Sequence, residues 1–193
     1  MQKRFLTAAT ALSLVIPAAL AGGAQGQAPT GPVSTAQVSN DTDVLFMEVM
    51  TMSNLTEITT SQLALQKSSN QAIRAFAQQM IGEHTTAQAQ VAALASARGV
   101  PLPKALPPEL QLKVNTLNTL SGSAFDVAYL REQVLSHQFT ISIFQNEQTA
   151  GRDTGVVAFA TQNLPLIERH FQEAQTLLAT AQSQTAPATP STP

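Results

Sequence analysis

"QAIRAFAQQMIGEHTTAQAQVAALASARG", residues 71–99, decides the fold. In steps of three and four it presents Ile73, Phe76, Met80, His84, Ala87, Val91 and Leu94, the period of a helix with one buried stripe. Gly99 supplies a left-handed stop, and Pro101 cannot continue the helix. The result is a rod of about 40 Å. Its oddity is His84, an ionisable imidazole on the apolar side.

Working outward, "SSN" at 68–70 is a turn, and a first helix runs from about Asp41 to Lys67, with Asn40, Asp41 and Thr42 as cap candidates. On the other side, residues 99–122 form a long connection. "PPELQLKVNTLNTL" within it reads as a short helix, with proline in its first turn and Leu110, Val114 and Leu117 on one side; Gly122 ends it. A third long helix starts in "SGSAFDVAYL", where Ser123 and Asp126 have capping-box spacing, and ends near Gly151. A fourth runs from about Thr154 to Gln182. Pro165 inside it should kink it, because proline removes one helix hydrogen bond. No apolar–polar alternation signals a strand. Four long helices joined by a short turn, a long crossover and a short turn predict an all-α, ferritin-like four-helix bundle over residues 40–182.

The flanks read differently. Lys3 and Arg4 precede the apolar run "FLTAATALSLVIPAALA", which ends in small residues. That is the pattern of a signal peptide over 1–21, cleaved after Ala21, with Ala28 as a later alternative. Residues 22–39 are a Gly/Pro/Ala/Gln linker and 183–193 a Pro/Thr/Ala tail, both expected to be unstructured. Cysteine is absent, so neither a lipid-bearing cysteine nor a disulfide is available and the core alone must hold the fold.

Composition excludes some functions. Only 11% of the 193 residues are charged, against about 25% in an average soluble domain. No Lys/Arg cluster follows residue 4, tryptophan is absent and Tyr129 is the only tyrosine. A nucleic-acid partner would need a basic patch or a stacking platform. Nothing resembles a nucleophile elbow or a phosphate loop, so an enzyme has little support.

The other stripes sharpen the question His84 raises. Helix one gives Phe46, Met50, Ser53, Glu57, Thr60 and Ala64; helix three gives Leu130, Val134, His137, Ile141 and Phe144; helix four gives Val156, Ala160, Asn163, Ile167, His170, Ala174 and Leu177. All three histidines of the chain fall on stripes, one to a helix, and Glu57 falls on the remaining one. Counted from Asn70, Glu57 and His84 are level; counted from Arg152, His137 and His170 differ by about one turn, about 5 Å. Glu57, His84, His137 and His170 are therefore expected to converge in one mid-bundle layer.

Two readings of that layer stand. Three neutral imidazoles and a carboxylate suit one divalent transition metal such as zinc or iron. Alternatively, the same groups form a metal-free polar layer that fixes the register of the bundle, or one that responds to pH. A di-iron carboxylate centre is disfavoured, because no Glu-x-x-His motif occurs. Glu83 and Glu168, one and two residues before a histidine, point to other faces and read as solvated or half-buried neighbours. "MEVMTM" (47–52) cannot place its methionines on one face and reads as core packing. Asp126 reads as a cap.

From Phe46 through "LTEITTSQLALQKSSNQAIRAFAQQM" (55–80), "EHT" (83–85), "GVPLP" (99–103), "LSGSAFDVAYL" (120–130), His137 and "VAFATQNLPLIERH" (157–170), the chain resembles the ferritin-like "domain of unknown function 4142" family. These are exported bacterial proteins often labelled predicted outer membrane proteins. The resemblance implies a ferritin-like bundle and a periplasmic or otherwise exported location, with outer-membrane association as an option. It places Glu57, His84, Asp126, His137 and His170 at the family's recurrent polar positions, and it implies no activity. Two expectations follow. One is a bundle that binds a metal ion for metal handling or stress protection. The other is a structural or interaction protein of the envelope, meeting a like subunit or an envelope partner through its low-charge faces.

Overall fold

Asn40 opens the first helix with a capping box. Its side chain accepts from the Asp43 backbone N–H (3.0 Å), and the Asp43 carboxylate accepts from the Asn40 N–H (2.6 Å). Two donors that a helix start leaves orphaned are thus satisfied. The computed structural model describes residues 39–185. The signal peptide, the linker before Ser39 and the tail after residue 185 lie outside the described residues. Within them are α1 (Asp41–Lys67), α2 (Gln71–Arg98), α3 (Pro108–Asn118), α4 (Gly122–Ala150) and α5 (Thr154–Thr185).

The expected punctuation largely holds. Asn70 caps α2 by accepting from the Ala72 and Ile73 N–H groups, and Gly99 ends it at φ 67°, a left-handed conformation that suits glycine. The start of α4 differs from expectation. Gly122 takes φ 55° and is already helical, so Ser121 is the N-cap and makes no side-chain cap bond. Ser123 therefore lies inside the helix and no capping box with Asp126 forms; Asp126 is half-buried, and its Oδ1 has no partner. The last helix passes through Pro165 as one element and continues to Thr185, three residues past the expected end.

Hydrogen bonds between ends set the topology. Lys67 Nζ donates to the carbonyls of Asn118 (2.7 Å) and Leu120 (3.1 Å), which puts the end of α1 beside the start of α4. At the opposite end Asn40 Nδ2 donates to the Ala150 carbonyl (2.9 Å), and Arg98 pairs with Asp153. Helices α1 and α5 therefore run one way and α2 and α4 the other. The crossover carrying α3 travels the length of the bundle and packs α3 against α1 and α4. This is the ferritin-like arrangement.

The core is two apolar clusters. Near the 68–70 turn, Ile73, Phe76 and Met80 pack on Tyr129 and Leu130, with Leu117 added from α3. At the other end Phe46, Met50, Val91, Phe144, Val156 and Phe159 pack together, with Phe46 and Phe144 edge to face at 5.2 Å. Each such side chain, fully buried, contributes about 1.5–3 kcal/mol. Of the methionines read as core, Met47 and Met50 are buried, while Met52 is half-buried. Between the clusters lies a polar layer.

A second polar group locks the far end. The Asp43 carboxylate accepts from the backbone N–H groups of Arg152 (3.1 Å) and Asp153 (3.0 Å). Asp153 caps α5 through Gly155 and Val156, and its bond to Arg98 holds its carboxyl down at about 2. Glu147 is fully buried beside them. Burial first, then hydrogen bonding to Asp43 and the charges of Asp43 and Asp153, push its carboxyl up to about 8. Gly151 sits at an ordinary φ of −64°, but a Cβ there would run into the side chain and carbonyl of Glu147. The glycine is needed for space.

Candidate metal centre

His84 on α2, His137 on α4 and His170 on α5 all lie in the polar layer and are at most 2% exposed. Their ring centroids are 5.6 Å (84–137), 5.6 Å (84–170) and 5.3 Å (137–170) apart. One ring nitrogen of each lies within 4.8 Å of those of the other two.

One nitrogen of each ring is pinned. His84 Nδ1 meets Asn54 Oδ1 at 2.8 Å, and Asn54 is itself oriented by its Nδ2 donating to Gln88 Oε1 (3.2 Å). His137 Nδ1 meets the Gln133 main-chain carbonyl at 2.8 Å, one helical turn back. His170 Nε2 meets the Glu83 carboxylate, which Arg169 also contacts at 3.1 Å. All three partners are oxygen acceptors, so each pinned nitrogen carries the proton and donates. The lone pairs fall on His84 Nε2, His137 Nε2 and His170 Nδ1. These are the three buried ring nitrogens that have no hydrogen-bond partner.

Electrostatics keep the lone pairs free. Burial pushes His84 well below the ordinary histidine range, and the neighbouring His137 and His170 add to the effect. Burial also lowers His170, to about 4, against the opposing pull of Glu83. At neutral pH these two rings are uncharged, the form a metal binds. Pinning by a carboxylate, an amide oxygen and a main-chain carbonyl is how metal-ligating histidines are usually oriented. The adjoining cavity, bounded by Ser53, Asn54, Thr140 and Asn163, is about 10 Å³. It holds about one water-sized group.

Glu57 departs from the expected geometry. It is buried at 2% exposure, but its carboxylate accepts from Gln133 Nε2 (2.6 Å) and Ser136 Oγ on α4, away from the histidine group. Asn54, one turn earlier, takes the place level with His84. The reason is register. Helices α1 and α2 end at Lys67 and resume at Gln71, so the hairpin is centred on Ser69, and Asn54 and His84 are symmetric about it. Centring on Ser69 rather than Asn70 moves the level of His84 from Glu57 toward Asn54. His137 and His170, one turn apart by count, nevertheless meet.

Glu83 has a role beyond that of a solvated neighbour. It is half-buried, as expected, but its long side chain reaches His170 on the next helix. Asn54 was missed because the stripe was stepped from Met50 to Ser53; the equally helical step of four lands on Asn54.

The family model described as "Domain of unknown function (DUF4142)" matches residues 27–177. No curated protein matches the chain. Among solved structures, a crystal structure of a DUF305 fragment from Deinococcus radiodurans superposes with a TM-score of 0.67 at 17% identity, covering 74% of this chain and 98% of that one. At that identity the likeness carries the fold alone, and the fold is the helical bundle described above. The sequence match covers most of the chain, and the chain belongs to the DUF4142 family.

Proposed function

We propose that the bundle holds one divalent transition-metal ion on His84 Nε2, His137 Nε2 and His170 Nδ1, and that its role is metal handling in the cell envelope. One observation carries this reading: three clustered, buried histidines each keep one ring nitrogen with no hydrogen-bond partner, and one ring nitrogen of each lies within 4.8 Å of those of the other two. A single water in the cavity has two protons and leaves one lone pair unmet, whereas one metal ion takes all three. Imidazole ligands suit zinc, iron, copper or nickel. With Zn–N bonds of about 2.0–2.1 Å, the ligand nitrogens would draw in around the ion from separations of up to 4.8 Å.

The fourth position has room for a water and little else, and the carboxylate that lines the cavity, Glu83, is taken up by His170 and Arg169. The site therefore supports holding a metal more than turning over a substrate. The signal-like first 21 residues and the family membership favour an exported location. Among the described residues no helix is long and apolar enough to cross a membrane.

The test is metal analysis of the protein expressed without a polyhistidine tag and titrated with zinc. The expected result is one equivalent bound and a rise in Tm. Less than about a tenth of an equivalent with no change in Tm at saturating zinc, a regime in which any bound ligand would stabilise the fold, would sink the reading.

A further inference from the structure

A second cavity lies on the other side of Glu57. It opens between α1, α3 and α4 and encloses about 360 Å³, within the usual range for small-molecule pockets, about 300–1,000 Å³. Val49, Met52, Leu110, Leu117, Leu135 and Phe139 supply its walls. Leu135 and Phe139 are 51% and 57% exposed, although they sit on a packed helix.

The floor is polar and short of donors. Glu57 accepts one hydrogen bond at each oxygen, from Gln133 and Ser136. A carboxylate offers about four lone-pair sites, so acceptor capacity remains. Gln133 must turn its NH₂ to Glu57, and its Oε1 is then left buried with no partner; the residue itself is 1% exposed. None of the ion pairs among the described residues involves Glu57. A buried carboxylate met only by neutral donors is costly unless a cation joins it. The rim has the same sign: Glu109 and Glu132 line it against one cation, Lys113, which is paired with Glu132 at 2.9 Å.

We infer that this groove binds a small amphipathic cation, with a protonated primary amine on Glu57 and Gln133 Oε1 and an apolar body along α3. An ammonium brings three donors and a positive charge to a floor with one unpaired acceptor, Gln133 Oε1, and a carboxylate with acceptor capacity left. The walls take a chain or ring. A carboxylic acid would meet Glu57 with like charge, and an alcohol brings one donor and no charge.

The probes are n-octylamine, octan-1-ol and octanoate, compared at equal concentration by calorimetry and by methyl NMR of the protein. The expected result is amine binding at least about tenfold tighter than the alcohol, one charge-assisted contact in place of a neutral one, with no binding of octanoate. The shifts should fall on Met52, Leu110 and Leu117 methyls. Glu57→Gln should cut the amine-over-alcohol ratio to below about threefold while zinc affinity stays at the wild-type value. Because the NMR map needs no variant, the inference remains testable if Glu57→Gln folds poorly. Equal binding of all three probes, preference for octanoate, absence of binding, or shifts outside the groove would each overturn it. So would a concentration-dependent dimer or the chain's own residues 1–38 occupying the groove in place of the amine.

Discussion

Replacing His84 by leucine separates a metal centre from a packing layer. His84 is 2% exposed and contributes one pinned and one unpartnered nitrogen. In the metal-free protein three changes partly cancel and leave a gain. Leucine gains about 1.5–3 kcal/mol of apolar burial. Losing the buried, unpaired Nε2 recovers about 1–3 kcal/mol, and stranding Asn54 Oδ1 costs a similar amount. Rotamer strain in a tight site offsets part of the remaining gain. The variant should stay within about 2 kcal/mol of the wild type, or about 6 °C in Tm at about 3 °C per kcal/mol for a domain of this size. With zinc the two proteins should part. At a hundred times Kd a ligand stabilises by about 2.7 kcal/mol, so wild-type Tm should rise by about 8 °C and that of His84→Leu by less than about 1 °C. The assay is thermal unfolding by circular dichroism with and without zinc. If His84→Leu keeps half or more of the wild-type zinc shift, the three-histidine reasoning fails.

Other outcomes follow from the same geometry. Asn54→Ala should weaken zinc binding about 10–100-fold, the usual effect of losing a group that orients a ligand; unchanged affinity by calorimetry would remove Asn54 from the site. Metal-free stability should depend on pH through His170. Its folded value near 4 lies below the unfolded 6.5, so the unfolded chain binds the extra proton in that window. Stability is then full above pH 6.5 and lost as pH falls toward 4, by about 3 kcal/mol. Denaturant titrations should show this loss in wild type and a smaller one in His170→Leu, where His84, also lowered by burial, carries the remainder. Glu147 has the opposite sign, since its carboxyl is raised from 4.5 to about 8. It erodes stability as pH rises from 4.5 to 8, so Glu147→Gln should gain Tm over wild type at pH 9 and little at pH 4; equal gains at both would refute its assignment.

Much of this was legible in the sequence because it rests on local rules. Gly99, the turn at 68–70 and the apolar period of residues 71–98 fix the helices with no knowledge of their neighbours. The three histidines were found because an imidazole on an apolar stripe violates the pattern. What failed was register and reach. Glu57 and Asn54 differ by one turn of α1, and the apolar pattern admits either at the level of His84; only the packed hairpin decides. Glu83 points away from the stripe of its own helix, yet it is long enough to reach His170 on another, which the period of α2 cannot show. The Asp43–Glu147–Asp153 group joins three helix ends brought together by topology, so its members read in sequence as ordinary polar residues near caps.

On the proposed function, three histidines from three helices, without Glu57, hold one metal. A crystal of the zinc-loaded protein, measured at the zinc absorption edge, tests it most directly. The expected result is a single anomalous peak about 2.0–2.1 Å from His84 Nε2, His137 Nε2 and His170 Nδ1, with Glu57 still on Gln133 and Ser136. A peak on the Glu57 carboxylate, or zinc-soaked crystals with no peak among the histidines, would contradict it.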